Sequence, residues 1–197
     1  MKIGYDIDGV LIDFITPYLW FHNKKYGTRF QKEDIKNYDL TKSLKLPSKK
    51  IFPDIMQFME SKYSEYLVPA ESTQEAISEI AMEHDLYVIT SRSELFKRQT
   101  EEMLSIYFPN IFDGRVIFSS YNTHKWGNSK SSIAESLRLE IFIEDNPDDI
   151  SSITAKGIRV FLMDAPWNRK VKENSLVTRV YNHSEIVRIL KSGLNNR

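Results

Sequence analysis

Asp6-Ile7-Asp8-Gly9 sets two carboxylates one residue apart, directly after the short apolar run Lys2 to Tyr5. Acids at this spacing can share a hard, oxygen-preferring cation such as magnesium, and Gly9 lets the backbone turn sharply beside a ligand. The plainer alternative is a polar strand end with solvated aspartates. The apolar strand before the pair and Val10-Leu11 after it favour chemistry. Thr90-Ser91-Arg92 follows a second apolar run, Leu86 to Ile89. A hydroxyl and free amides at a strand end can hold phosphate oxygens, and Arg92 can add a fork of donors. Taken alone, Ser91 or Ser93 also suits a helix cap before Leu95.

Two further clusters complete the set. Lys130 stands at the start of an expected helix, where a cation opposes the helix dipole. A lysine at such a spot is suited to an anion, although an ordinary surface lysine is the commoner case and Lys125 is a rival nearby. Glu144-Asp145-Asn146-Pro147-Asp148-Asp149 carries four acids in six residues after the run Ile141 to Ile143. Such acids repel one another unless a cation or a lysine neutralises them. Asp148 and Asp149 also suit the first turn of a following helix. Both readings can hold together, with Asp145 binding metal and Asp149 steadying Lys130.

The elements that must position these groups alternate. Strands are expected at Lys2–Tyr5, Leu86–Ile89, Val116–Phe118, Ile141–Ile143 and Ile158–Leu162, with a short extra strand at Val177–Val180. Helical periodicity covers Asp13–Tyr26, Pro47–Tyr66, Pro69–His84, Leu95–Tyr107, Ser129–Leu137, Asp148–Ala155 and Ser184–Leu190. Strand–helix alternation predicts an α/β fold, a doubly wound parallel sheet with helices on both faces. Ligands bind beyond the carboxyl ends of such strands, which is where all four clusters fall.

Bulk properties narrow the partners. The 197 residues carry 27 basic and 27 acidic side chains, so no net basic field attracts a nucleic-acid polymer. The chain has no cysteine, which excludes disulfides, thiolate zinc sites and a cysteine nucleophile. Asp6 and Asp8 interrupt the N-terminus before any long apolar stretch, and no apolar run approaches the ~18 residues of a membrane span. A cytoplasmic location is the default expectation, with no membrane partner.

The order of Asp6-Ile7-Asp8-Gly9-Val10, Thr90, Lys130 and Glu144-Asp145 resembles the four motifs of the haloacid dehalogenase superfamily, over most of the chain. A second acid at Asp8 resembles its phosphatases and mutases. More closely, Asp6 to Phe14, the paired acids Glu144-Asp145 and the stretch Asp164-Ala165-Pro166-Trp167-Asn168 resemble the cytosolic 5'(3')-deoxyribonucleotidase family and its bacterial relatives. Arg92-Ser93 departs from that pattern, since the mammalian enzymes carry a proline there.

The resemblance implies a Rossmann-like core of residues 1–14 and 73–197, with a helical cap of residues 15–72 inserted after the first strand. It implies Asp6 as nucleophile and Asp8 as acid and base. Thr90, Ser91 and Lys130 would bind phosphate. Asp6, Asp145 and the backbone carbonyl of Asp8 would bind Mg2+. Eleven of the chain's aromatic residues fall between Phe14 and Tyr66, and packing of a small cap explains most of them. A phenylalanine matching Phe14 stacks on the base in the deoxyribonucleotidases, so Phe14 and Arg92 are the expected substrate contacts. The expected ligand is a small phosphate monoester, foremost a deoxyribonucleoside monophosphate. A sugar phosphate, a phosphomutase reaction and a non-catalytic phosphate-binding module remain alternatives, and a homodimer is left open.

Overall fold

A computed structural model describes residues 1–119 and 129–193. Lys125 lies outside the described residues. The chain begins with strand β1 (Lys2–Tyr5) and then a run of helices: α1 (Ile15–Tyr26), α2 (Leu40–Leu44), α3 (Ser48–Met59) and α4 (Thr73–Ala81). Alternation follows with β2 (Asp85–Thr90), α5 (Lys97–Tyr107), β3 (Val116–Phe118), α6 (Lys130–Leu137), β4 (Ile141–Glu144), α7 (Pro147–Thr154), β5 (Arg159–Met163), β6 (Val177–Val180) and α8 (His183–Ser192).

The six strands form one parallel sheet in the order β3-β2-β1-β4-β5-β6. The chain builds outward from β1 to β3, then returns to place β4 on the other side of β1. The switch point therefore lies beside β1, where a ligand crevice is expected in such sheets.

Side chains alternate across the sheet as strand geometry requires. Ile3, Tyr5, Ile141, Ile143, Phe161 and Met163 join the apolar cluster that includes α4, α5 and α8. Phe142, Val160 and Leu162 join the other cluster, with Ala134 of α6 and Ile150 and Ile153 of α7. Helices cover both faces, as the sequence predicts. Tyr18, Leu19, Ile35, Phe58 and Met59 belong to the first cluster, so the helical segment after β1 shares apolar packing with the sheet layer.

The helix ends differ from expectation where side chains cap. The expected helix Pro47–Tyr66 stops at Met59. The Ser61 hydroxyl donates to Phe58 O at 2.7 Å and accepts from Tyr63 N at 3.2 Å, starting a separate 3-10 turn, Lys62–Tyr66. Such side chains compete with helical hydrogen bonding. The helix expected from Pro69 starts only at Thr73, because Ser72 takes a left-handed conformation. No helix among the described residues is long and apolar enough to cross a membrane.

Candidate active site

Asp6 follows β1, Thr90 ends β2 and Asp145 follows β4, at the carboxyl ends of three adjacent strands. Lys130, the first residue of α6, reaches the same crevice. Its Nζ lies 2.8 Å from Asp6 Oδ2, 2.8 Å from Glu144 Oε2 and 3.3 Å from Asp149 Oδ2. These contacts explain why a lysine is tolerated where the helix dipole disfavours it: buried acids outweigh the dipole.

Glu144 is wholly buried and fully committed. Its Oε2 accepts from Lys130, and its Oε1 accepts from the amides of Asp145 (3.0 Å) and Asn146 (3.1 Å). The sequence shows Glu144 as part of an acid cluster but not as a counter-ion shared with Asp6 at Lys130. Asp145 is equally buried, yet its Oδ1 has no partner among the described residues. Gly9 has φ +81°, and a Cβ there would overlap the Asp145 carboxylate. Any larger residue would therefore be strained and would displace that group.

Ligand atoms of Asp6, Glu144 and Asp145 lie within 4.8 Å of one another. One ammonium cannot neutralise these acids and Asp149 together, and the proton affinities follow. Burial, opposed by Lys130 and reinforced by Glu144 and Asp8, pushes the Asp6 carboxyl up to about 8. Burial and the neighbouring charges of Glu144 and Asp6 hold Asp145 well above the usual carboxylate range. Burial works against the charge of Lys130, but Asp6 and Glu144 outweigh it and raise its pKa well above normal. A buried acidic cluster short of positive charge, with one oxygen unpartnered, fits a hard divalent cation. With Glu144 committed, the side chains left to hold it are Asp6 and Asp145.

Arg92, which lines the crevice, is paired with Asp8. Its Nε donates to Asp8 Oδ2 at 2.8 Å and its Nη2 to Asp8 Oδ1 at 2.6 Å. Nη1 donates to Thr100 Oγ1 at 3.3 Å, so the fork is braced from behind. Ser93 accepts from Leu95 N and caps the turn Glu94–Phe96. That leaves Thr90 and Ser91 for other work: the Thr90 hydroxyl accepts from Arg92 N at 3.2 Å, and Ser91 Oγ lies 3.1 Å from Ser119 Oγ.

Above the crevice opens a cavity of about 1480 Å3, lined by Asp6, Asp8, Thr90, Ser91, Arg92 and Asp145 below. Phe14, Tyr38, Phe52 and Trp167 contribute aromatic surface to it. Phe14 is half-buried, stacked on Tyr18 (5.6 Å) and edge-on to Phe58 (5.4 Å), so it serves packing as well as the cavity wall. Tyr38 and Trp167 meet edge to face at 6.5 Å. Burial and then the negative charge of Asp145 push the Tyr38 hydroxyl well above its usual range. Nothing in the local sequence singled out Tyr38 or Phe52; a loop and a helix bring them to the crevice.

A family model described as 5' nucleotidase, deoxy (pyrimidine), cytosolic type C protein matches residues 1–192. The chain belongs to this 5'-nucleotidase family. It is 29% identical to a candidate nucleotidase of Halalkalibacterium halodurans, covering 85% of this chain and 82% of that one. It is 24% identical to a nucleotidase of Clostridium acetobutylicum, covering 96% and 93%. Among solved structures, a haloacid dehalogenase-like hydrolase of Streptococcus pneumoniae superposes with a TM-score of 0.66 at 16% identity, covering 96% of this chain and 97% of that chain. The fold is thus that of the haloacid dehalogenase hydrolases, and the family makes the chain a phosphatase of the 5'-nucleotidase kind.

Proposed function

We propose that the chain hydrolyses the phosphate ester of a nucleoside monophosphate, preferring deoxyribonucleotides, through an aspartyl-phosphate formed on Asp6. The observation that carries this reading is the meeting of Asp6, Lys130 and the unpartnered Asp145 beneath a cavity walled by aromatic side chains. Residues 1–14 and 73–197 form the catalytic core in this reading, and residues 15–72 form a cap over the crevice.

Mg2+ would be held by Asp6, Asp145 and the backbone carbonyl of Asp8, where it supplies charge neutralisation that lets a carboxylate approach a phosphate dianion. Lys130, Thr90 and Ser91 bind the non-bridging oxygens and draw off their charge. The Asp6 carboxylate attacks phosphorus, and the bond to the ester oxygen breaks. Asp8 gives a proton to the departing nucleoside oxygen, then takes one from the water that attacks the aspartyl-phosphate, restoring Asp6 and releasing phosphate. Arg92 grips both oxygens of Asp8. Proton transfer by Asp8 therefore requires that at least one of these contacts be released, and the incoming phosphate is the competing anion for that fork.

The test is phosphate release from deoxyribonucleoside monophosphates, ribonucleotides, sugar phosphates and para-nitrophenyl phosphate, with Mg2+ or excess chelator. Deoxyribonucleotides are expected to be hydrolysed fastest, and chelator to abolish turnover. Faster turnover of sugar phosphates would overturn the substrate assignment, and full activity in chelator would overturn the metal. Base stacking contributes roughly 1–3 kcal/mol in single-stranded complexes, so Phe14→Ala is expected to slow nucleotide turnover by about ten- to a hundred-fold. It should barely affect para-nitrophenyl phosphate. Equal losses on both would reduce Phe14 to its packing against Tyr18 and Phe58.

A further inference from the structure

Among the described residues, Asp145 Oδ1 has no hydrogen-bond partner to aim the carboxylate. What orients it is its main chain, and two groups grip that main chain from opposite sides. Glu144 Oε1 accepts from its amide at 3.0 Å. Asn168 Nδ2 donates to its carbonyl at 2.9 Å, from a position 23 residues further along the chain.

Asn168 is itself wholly buried and fully engaged. Its Nδ2 also donates to Met163 O at 2.8 Å, and its Oδ1 accepts from Ala165 N (3.1 Å) and Arg179 Nη1 (2.8 Å). An amide has two donors and one two-lone-pair acceptor oxygen, so this set uses its whole capacity and fixes its orientation. Met163 ends β5, and Asp145 follows β4. The last ladder pair between these strands is Glu144 with Leu162. Asn168 therefore joins the two strand ends one residue beyond the last β4–β5 pair, where no ladder bond holds these two strands to each other.

Arg179 of β6 holds Asn168 in turn. Its guanidinium donates to Asp164 Oδ1 (2.6 Å), Asn168 O (3.1 Å) and Val171 O (2.9 Å), besides Asn168 Oδ1. The edge strand β6 is thereby tied, through Asn168, to the main chain of Asp145 near the sheet's centre.

We propose that Asn168, held by Arg179, is the positioning residue for Asp145 and sets the affinity of the divalent-cation site. The inference rests on the metal reading above. Groups that orient a ligand from behind typically change metal affinity by about ten- to a hundred-fold when removed.

The test is titration of Mn2+ into the chain, read by loss of the free-ion electron paramagnetic resonance signal, alongside thermal unfolding in chelator. Asn168→Ala is expected to weaken Mn2+ binding by about ten- to a hundred-fold. Asp164→Asn loosens the same loop but leaves the Asn168–Asp145 bond, and is expected to lower the unfolding temperature with near wild-type cation affinity. If Asn168→Ala does not fold, Arg179→Lys, which keeps the charge but not the fork, carries the test with a smaller weakening. Wild-type affinity in a folded Asn168→Ala or, failing that, in Arg179→Lys would overturn the proposal and leave the metal site standing. Absence of Mn2+ binding by the wild-type chain would overturn both.

Discussion

Asp145 and Asp54 are the same residue type with the same solvent exposure, 1% each, and their surroundings are opposite. Asp54, on α3, receives hydrogen bonds from Tyr18 Oη (2.8 Å), Tyr26 Oη (2.8 Å) and Lys25 Nζ (2.6 Å), with His22 Nδ1 3.6 Å away. Burial raises its proton affinity, but the Lys25, Tyr18 and Tyr26 bonds prevail and its pKa falls below normal. Asp145 has an unpartnered oxygen and two acidic neighbours, and its pKa rises. A buried charge whose every valence is met is a fastener, here joining α1 to α3. A buried charge left short is a site waiting for a ligand, because natural folds rarely leave such groups unsatisfied without a use.

The largest effects are expected at the reacting acids. Asp6→Asn should abolish phosphate release with the unfolding temperature little changed, since an amide is not a competent nucleophile. Asp8→Asn should cost at least ~100-fold in rate. Near-normal turnover in either variant, measured with a nucleoside monophosphate, would show that the roles are misassigned.

Neutralising each buried acid should have opposite consequences. Asp54→Ala leaves the Tyr18 hydroxyl buried without its acceptor and should lower stability by about 2–3 kcal/mol in urea denaturation, with kcat of the folded enzyme largely kept. Asp145→Asn relieves repulsion within the acid cluster. It should leave stability in chelator equal to or above wild type while cation binding is lost. A destabilised Asp145→Asn, or an inactive but stable Asp54→Ala, would break the contrast.

A smaller effect is expected at a further buried titrating group, His183. His183 stacks on Tyr5 at 6.2 Å, and burial lowers its pKa to about 4. Between that value and an unfolded pKa near 6.5 the unfolded chain binds the extra proton, so stability is complete above about pH 6.5 and falls as pH drops toward 4. This group alone should remove about 2 kcal/mol between pH 7 and pH 5. Denaturation midpoints of His183→Gln should show a correspondingly flatter pH dependence; the same slope as wild type would assign the acid sensitivity elsewhere.

The strand–helix rhythm, the parallel sheet and the rim on which Asp6, Thr90, Lys130 and Asp145 meet are legible in the residues alone. Those features are written locally, in apolar runs that end at polar residues and in the 3.6-residue period between them. Even Asp149 steadying Lys130 was legible, because both flank one strand. Folding sets the rest: Glu144 is committed to Lys130 and two amides, Arg92 grips Asp8 across 84 residues, and Asn168 donates to the Asp145 carbonyl. It also brought Tyr38 and Phe52 to the cavity. Such contacts depend on which loops the folded sheet brings together. A side chain's hydrogen-bonding capacity is visible in the sequence, but the partner that satisfies it is chosen by burial, where a competing water is no longer available.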